Sequence, residues 1–598
     1  MKRSQFFQGL RARNSPTRVT LRQYGSLLST YLGPQYLRVG AMALFLLANI
    51  GLQLLGPQFI RTFIDTFQHS GNEQALTMTA LFYLGVAIGS RLVSALAIYF
   101  CEDVGWTATN RLRADLTLHC LNLDRSFHTA HTPGELLERV DGNIDTLAGF
   151  FSQFIIQVLG NTILMIGVLI LMVREHILFG IVLSAYLVIS ISICIFVQKQ
   201  ATARYKFHWQ AQAELSGFWG ELLGALEDIA SSSAAPYIIR RYFHLQRQEN
   251  STEIRSIVFW AGFECTELVL EVLSMVLVLI LSAYLFVQGA ITLGTVILLL
   301  SYNTQLLDHT MEIADQFGSL QQATASLERI NEIYHTSSRV QDGPGVSFPT
   351  GALDIAFERV SFHYEAEQSV LQNINFRVSA GEKVGLIGRS GSGKTTLIRL
   401  LMRFYDPVCG TVTLGEQDIR QAQLNDLRRR IGLVTQEVEL FHATLRDNLT
   451  FFDTSIEDQR ILQAISQLGI DEWYARLPEG LETMLTNTGA GLSAGEAQLL
   501  ACIRVFLKDP QLIILDEATS RLDPATEKLI TQTTERLLTG RTALIIAHRL
   551  STVERVDQIM VLEEGRILEY GERAALACSA TSRYAQMLQM AHPEKMFA

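Results

Sequence analysis

The chain has 598 residues, of which 48% are hydrophobic and only 18% charged, with a formal net charge of −10. That length accommodates several domains, and a positive mean hydropathy excludes a purely soluble protein. The acidic balance argues against a nucleic-acid partner. Cys101, Cys120, Cys194, Cys265, Cys409, Cys502 and Cys578 show no CxxC spacing, so they suggest neither a zinc site nor a disulfide framework.

Residues 1–35 carry Lys2, Arg3, Arg11, Arg13, Arg18 and Arg22 and no acid. The positive-inside rule puts this segment in the cytoplasm. No h-region with a small-residue cleavage site follows closely, so the segment is read as a topology determinant rather than a cleavable signal. Apolar residues are concentrated before residue 320, and the pattern predicts six spans, at approximately 36–60, 77–100, 148–173, 177–198, 262–287 and 291–315. Each is near the twenty residues that cross roughly 30 Å of hydrocarbon. An even number returns the chain to the cytoplasm. Between spans two and three, and four and five, lie amphipathic stretches of about forty-five to sixty residues, too long and too periodic for loops.

In the fifth span Glu264, Glu267 and Glu271 recur at helical spacing and share one face. Ionisable groups at membrane depth usually mark a pathway or a paired network, and Arg91 in span two is one candidate partner. Two readings stay open: Glu264 and Glu267 lie in a water-exposed cytoplasmic extension, or the face contacts a cationic substrate, with Glu271, the deepest, lining the cavity.

The membrane segment 36–320 gives way to a linker, 321–352, whose Ser337 to Pro349 portion is rich in Ser, Gly and Pro. From 353 to 598 the pattern changes to short apolar runs. Lys383-Val384-Gly385-Leu386-Ile387 is a strand entering Gly388-Arg389-Ser390-Gly391-Ser392-Gly393-Lys394-Thr395-Thr396, and Thr396 to Leu401 reads as the helix leaving it. Glycines at this spacing turn backbone N–H groups inward around phosphates; Lys394 would meet the β- and γ-phosphates and Thr395 a Mg²⁺ ion. Alone, this loop equally fits a kinase or a GTPase. Downstream, Gln511 to Leu515 is a buried-strand run ending in Asp516, expected to hold the metal, and Glu517, expected to polarise the attacking water. A second run, Thr542 to Ala547, delivers His548 to the same sheet edge.

With Leu492-Ser493-Ala494-Gly495-Glu496 lying before the Asp516-Glu517 strand, residues from about 353 to 590 resemble the nucleotide-binding domain of an ATP-binding cassette (ABC) transporter. The resemblance implies an α-helical six-span transmembrane domain followed by an α/β P-loop NTPase domain of the ABC type, an exporter-type half-transporter that hydrolyses ATP with Mg²⁺. It also implies residue roles. Ser493 and Gly495 would contact the γ-phosphate of ATP on an opposing domain, Tyr364 would stack on adenine, Gln436 would link the metal to the membrane domain, and Asp523 would couple the two sites. Thr132 to Val140, with Asp141 and Asp145, resembles the first intracellular loop of the exporter fold, and coupling helices are expected near Asp124 to Ala130 and Ala213 to Gly220, with Phe218 and Trp219 as docking anchors.

The chain departs from the family pattern in places. Ala494, Glu496, Ala497 and Leu499 stand in and after the signature, Thr486-Asn487-Thr488-Gly489 replaces an acidic motif, and Arg521 replaces a small residue. With Lys394, Asp516, Glu517 and His548 intact, the site on this chain's own P-loop is expected to hydrolyse ATP while the site receiving its signature is weaker. That asymmetry favours a heterodimer with a different half-transporter, a homodimer staying open. The expected function is ATP-driven export of amphipathic small molecules, lipids or peptides across the bilayer of a bacterial inner membrane. An importer, for example of metal chelates, and a non-pumping ATP-gated channel or regulator are the alternatives.

Overall fold

The computed structural model describes residues 30–69, 71, 73–365, 368–485, 492–516, 524–547 and 553–591. They fall into two compact units. One contains the residues up to Asn122 and His131–Ser337; the other contains Leu123–Ala130 and the residues from Ser338 onward.

The first unit is helical. Its long elements are α1 (Tyr36–His69) and α2 (Glu73–Leu121), then, after the short α3 (Arg125–Ala130) that belongs to the second unit, α4 (Asn143–Gln153), a π-helical turn over Phe154–Gly160, and α5 (Asn161–Glu175). They continue with α6 (Ile177–Gly224), the short α7 (Leu226–Ser231), α8 (Ala235–Val287) and α9 (Leu293–His335). Leu164, Val168 and Met172 of α5 meet Phe179 and Leu183 of α6 and Leu298, Tyr302 and Leu306 of α9 in one buried core. Large apolar side chains such as Ile280 and Leu277 stay exposed on the outside, which suits a lipid surround and not water. The entry to α9 is fixed by Asp65 of α1, whose carboxylate accepts from the Thr292 hydroxyl at 3.0 Å and the Gly294 N–H at 3.1 Å. Gly294 is required there: a Cβ would lie 2.6 Å from the Arg61 carbonyl oxygen.

Helices occupy all six expected span positions. Among the described residues four are long and apolar enough to cross a membrane, Thr30–Gln68, Glu73–Leu121, Gln157–Glu175 and Ala235–Val287, with Ile177–Ile193 a shorter apolar segment. The 291–315 segment falls short because Ser301, Asn303, Asp308 and Glu312 dilute it. Three further expectations shift. Ala213 to Gly220 is continuous with α6, and the short helix near it is α7, beginning only after Gly224; the residues before Gly224 include no helix breaker strong enough to end it. Trp219 packs edge-on against Tyr242 of α8, 5.3 Å between ring centres, within its own unit. Segment 321–335, expected as linker, is the last part of α9.

The second unit is α/β. Strands β1 (Ile355–His363), β2 (Ser369–Val378), β4 (Cys409–Leu414) and β5 (Gln417–Asp418) form an antiparallel sheet in the order β2-β1-β4-β5. The main sheet, β12-β11-β3-β10-β9-β6, comprises β3 (Lys383–Ile387), β6 (Ile431–Val434), β9 (Leu512–Asp516), β10 (Thr542–Ile546), β11 (Gln558–Glu563) and β12 (Arg566–Glu572). All of its pairings are parallel except β11 with β12. Side chains alternate across it, as the period-2 pleat requires. Ile513, Leu515 and Ile545 enter one core with Leu499, Leu500 and Ile503 of a helix, Ala494–Lys508. Leu512, Ile514, Leu544 and Leu386 enter another with Leu397, Leu400 and Leu401 of the helix Lys394–Leu401. A sheet buried on both faces explains why these strands read as continuous apolar runs.

Candidate active site

The register of the parallel sheet sets where functional groups emerge. Ile546 pairs with Leu386 on one side and with Asp516 on the other, and Val434 pairs with Leu515. Strands β3, β10, β9 and β6 therefore end on one edge, where ligands bind in open α/β sheets. Gly388 begins directly after β3, Asp516 ends β9, and the exposed Gln436 lies two residues past β6.

The loop after β3 is shaped by its glycines. Gly391 and Gly393 hold φ of +82° and +106°, the left-handed region that side chains disfavour. A Cβ at Gly388 would sit 2.2 Å from the Leu562 carbonyl oxygen, and one at Gly393 2.6 Å from Leu371 Cδ2. Arg389, Ser390 and Gly391 are exposed on the rim. The Ser392 N–H donates to the Arg389 carbonyl at 3.1 Å, and its buried Oγ finds no hydrogen-bond partner among the described residues. Lys394 opens the following helix, and its Nζ donates to the carbonyls of Gly388 at 2.6 Å and Arg389 at 3.0 Å. Burial pushes its ammonium pKa below the usual lysine range, and the charge of Asp516 opposes that shift. Thr395 is exposed and Thr396 buried in the first turn. A glycine cradle, an ammonium bent back over it, an orphaned hydroxyl and the helix N-terminus make up an anion site, and it fits a polyphosphate.

Tyr364, one residue past β1, stands beside this loop. Its hydroxyl is 3.1 Å from Thr396 Oγ1 and accepts from Arg399 at 3.0 Å. Phe362 and Tyr405 approach the ring edge-on at 5.0 and 5.2 Å, and the side chain stays 39% exposed. The ring is thus steadied and still accessible.

Ser493 caps the helix Ala494–Lys508 in a reciprocal box. Its Oγ accepts from the Glu496 N–H at 3.3 Å, and Glu496 accepts from the Ser493 N–H at 2.7 Å. Gly495 is buried in that first turn. Glu517, His548 and Asp523, together with Asn487 and Arg521, lie outside the described residues.

One residue of this region was not anticipated. Arg504, on the same helix as Gly495, donates to the Asn448 carbonyl at 2.7 Å and to the Glu439 carbonyl at 3.1 Å, and its guanidinium lies 4.5 Å over the Phe451 ring. Burial brings its pKa down to about 10, so it stays charged at neutral pH. It ties the signature helix to the segment just beyond Gln436. A cation on the inner side of an otherwise apolar helix was the available signal.

A P-loop ATPase following a bundle of apolar helices defines an integral membrane protein that couples nucleotide hydrolysis to work on the membrane. The ABC transporter profile matches residues 371–520 and the ABC transporter transmembrane region matches 39–309. The chain is 30% identical to ATP-binding cassette sub-family B member 6 of Mus musculus, over 97% of this chain and 71% of that protein. It is 27% identical to the ATP-dependent lipid A-core flippase of Chromohalobacter salexigens, over 90% of this chain and 92% of that one. It is 29% identical to the leukotoxin translocation ATP-binding protein LktB of Bibersteinia trehalosi, over 91% and 77%. A bacterial Atm1-family ABC exporter solved with ATP bound superposes with a TM-score of 0.81 at 25% identity, covering 93% of this chain and 98% of that one. The chain belongs to the ABC transporter family: its fold is that of an ABC exporter, its second unit binds ATP, and its ATP hydrolysis is coupled to transport.

Proposed function

We propose that the chain is one half of a dimeric ABC exporter that moves amphipathic small molecules, lipids or peptides by alternating access. The observation that carries this is the single-chain fusion of an exporter-type helical unit with the glycine cradle around Lys394. Relatives described as a lipid A-core flippase and a leukotoxin translocator support outward movement, and bacterial relatives support a cell membrane with the ATPase facing the cytoplasm. All six long helices are assigned as crossings, giving a membrane domain that ends with α9 at His335, a short linker, and an ATPase domain of 353–598.

The roles follow the family resemblance, and the cradle around Lys394 supports the phosphate assignment. Gly388 to Thr396 hold the phosphates, and Tyr364 stacks on the adenine through its open face. Thr395, Asp516 and Gln436 would hold Mg²⁺, which when bound withdraws charge from the phosphate oxygens. Glu517 orients and deprotonates the attacking water, and His548 supplies a donor on the same edge. Ser493 and Gly495 complete the site of the opposing chain, and Asp523 couples the two sites. ATP binding favours the closed pair of cassettes and product release the open one, so each nucleotide condition stabilises a different state of the pathway.

Glu496 beside Ser493 supports an asymmetric dimer, because it places a carboxylate where the partner's γ-phosphate would dock. Purification of the tagged chain from its native membrane, with mass spectrometry of what accompanies it, tests this. A second, different half-transporter in equal amount is the expected result; recovery of this chain alone with full ATPase activity would overturn the heterodimer.

A further inference from the structure

The three glutamates of α8 do not share one environment. Glu264 and Glu271 are exposed, whereas Glu267 is only 7% exposed. One Glu267 oxygen accepts from the hydroxyl of Ser190 on α6 at 3.2 Å. The other, Oε1, is buried and has no hydrogen-bond partner among the described residues. Glu264 accepts from the Trp260 indole N–H at 2.9 Å. All three line one cavity of about 390 Å³, with Tyr186 of α6 and Thr310 and Met311 of α9 also on its wall. That volume falls within the range of small-molecule sites.

Among the described residues no Lys, Arg or His lines this cavity, and the ion pairs do not bring Arg91 to it. A buried carboxylate oxygen without a donor is costly in a low-dielectric setting, and ionisable groups at this depth are retained where they do work. The described residues also contain no group of three His, Cys, Asp or Glu side chains close enough to hold a metal ion. Carboxylates strung along two turns of helix, beside Leu268 and Leu307, suit an elongated molecule with an apolar body and a positive head.

We propose that this cavity binds an amphipathic organic cation, its ammonium-type head donating to Glu267 while Glu264 and Glu271 provide a negative approach. The proposal rests on the exporter reading above and names the substrate class. The N–H donors of such a head supply the partner that Glu267 Oε1 lacks, and the apolar body lies against Leu268, Leu307 and Met311.

The test uses the full-length chain purified from its native membrane together with any half-transporter that accompanies it, reconstituted in nanodiscs and titrated calorimetrically with 4-phenylbutylammonium and with its anionic counterpart 4-phenylbutyrate, empty nanodiscs being subtracted. The ammonium compound binds and the carboxylate does not. Glu267→Gln weakens binding by roughly tenfold to a hundredfold, the worth of a charge-assisted hydrogen bond. The Glu264→Gln, Glu271→Gln double variant, which leaves the buried residue in place, also weakens it and guards against a folding defect. Equal affinity for the two probes, or unchanged affinity in both variants, overturns the proposal. ATP hydrolysis by the unaltered protein in the same nanodiscs, and its loss in Lys394→Ala, tests the exporter reading separately. Hydrolysis without ammonium binding overturns the cavity assignment alone; absence of hydrolysis overturns the exporter reading itself.

Discussion

Glu496 and Ser493 satisfy each other: the Glu496 carboxylate accepts from the Ser493 N–H at 2.7 Å while the Ser493 hydroxyl accepts from the Glu496 N–H at 3.3 Å. The glutamate that looks like a defect in the signature is therefore a helix cap. It neutralises the positive end of a fifteen-residue helix that otherwise attracts an anion.

The two effects of Glu496 separate by substitution. Glu496→Ala removes the box and destabilises the helix by about 1 kcal/mol, which lowers the melting temperature by a few degrees. Glu496→Gln keeps an acceptor and so lowers the melting temperature less than Glu496→Ala, but removes a negative charge from the proposed trans phosphate site. The KM for ATP should then fall in steady-state assays. An unchanged KM in Glu496→Gln would show that this carboxylate does not face bound nucleotide.

Lys394 carries a stability cost that function requires. Its folded-state pKa is lowered by burial, so the fold disfavours the charged form. The sign follows: the nucleotide-free protein gains stability as pH rises from the folded pKa toward the ordinary lysine value. At neutral pH, Lys394→Met should therefore melt no lower than the parent, while ATP no longer shifts the transition. Thermal melts with and without ATP check both halves, and retention of the ATP shift would remove Lys394 from phosphate binding.

How far the sequence was legible depended on whether a feature is local. Gly388, Gly391, Gly393 and Lys394 could be assigned because the P-loop is contiguous and each glycine answers a backbone requirement within it. The strands ending at Ile387, Asp516 and Ile546 were equally readable, since burial on both faces leaves uninterrupted apolar runs. Glu267 was not, because which of three co-facial glutamates is buried depends on Ser190 of another helix. The short helix α7 was misplaced because amphipathic periodicity runs unbroken through Ala213 to Gly220. Ser493-x-x-Glu496 was a readable capping box, but the comparison with the family pattern made it look like a loss.

Arg504 should act as a positioning residue. Its two carbonyl contacts and the Phe451 face need a planar guanidinium, so Arg504→Lys keeps the charge and loses the fork. The expected effect is a drop in kcat of about tenfold or less with little change in the KM for ATP, because phosphate binding is untouched and only the link from the signature helix to the segment after Gln436 is loosened. A rise in KM with kcat preserved would contradict that assignment.

Asp124 anchors the segment preceding α3 within the ATPase unit. Its carboxylate accepts from the Phe127 N–H at 3.2 Å, the Ser338 hydroxyl at 3.3 Å, the Ser126 hydroxyl and the Arg339 N–H. Burial raises its pKa, but these four donors together outweigh that and hold it below the ordinary carboxylate value. The contribution is therefore present above the ordinary pKa and is lost as pH falls through the depressed one. Asp124→Asn should cost about 1 kcal/mol and expose residues 336–349 to proteases at neutral pH. Cleavage rates equal to the parent's would show that Asp124 does not secure this segment.

In the function proposed above, this chain's own P-loop site hydrolyses ATP through Glu517. The most direct measurement is the ATPase rate of the purified full-length protein in lipid, compared with Glu517→Gln at saturating ATP. Loss of a general base accounts for about a hundredfold or more, so the variant should retain on the order of 1% of the parent rate while still binding ATP. A variant that hydrolyses as fast as the parent would contradict the account, moving the catalytic base to another residue or the active site to another chain.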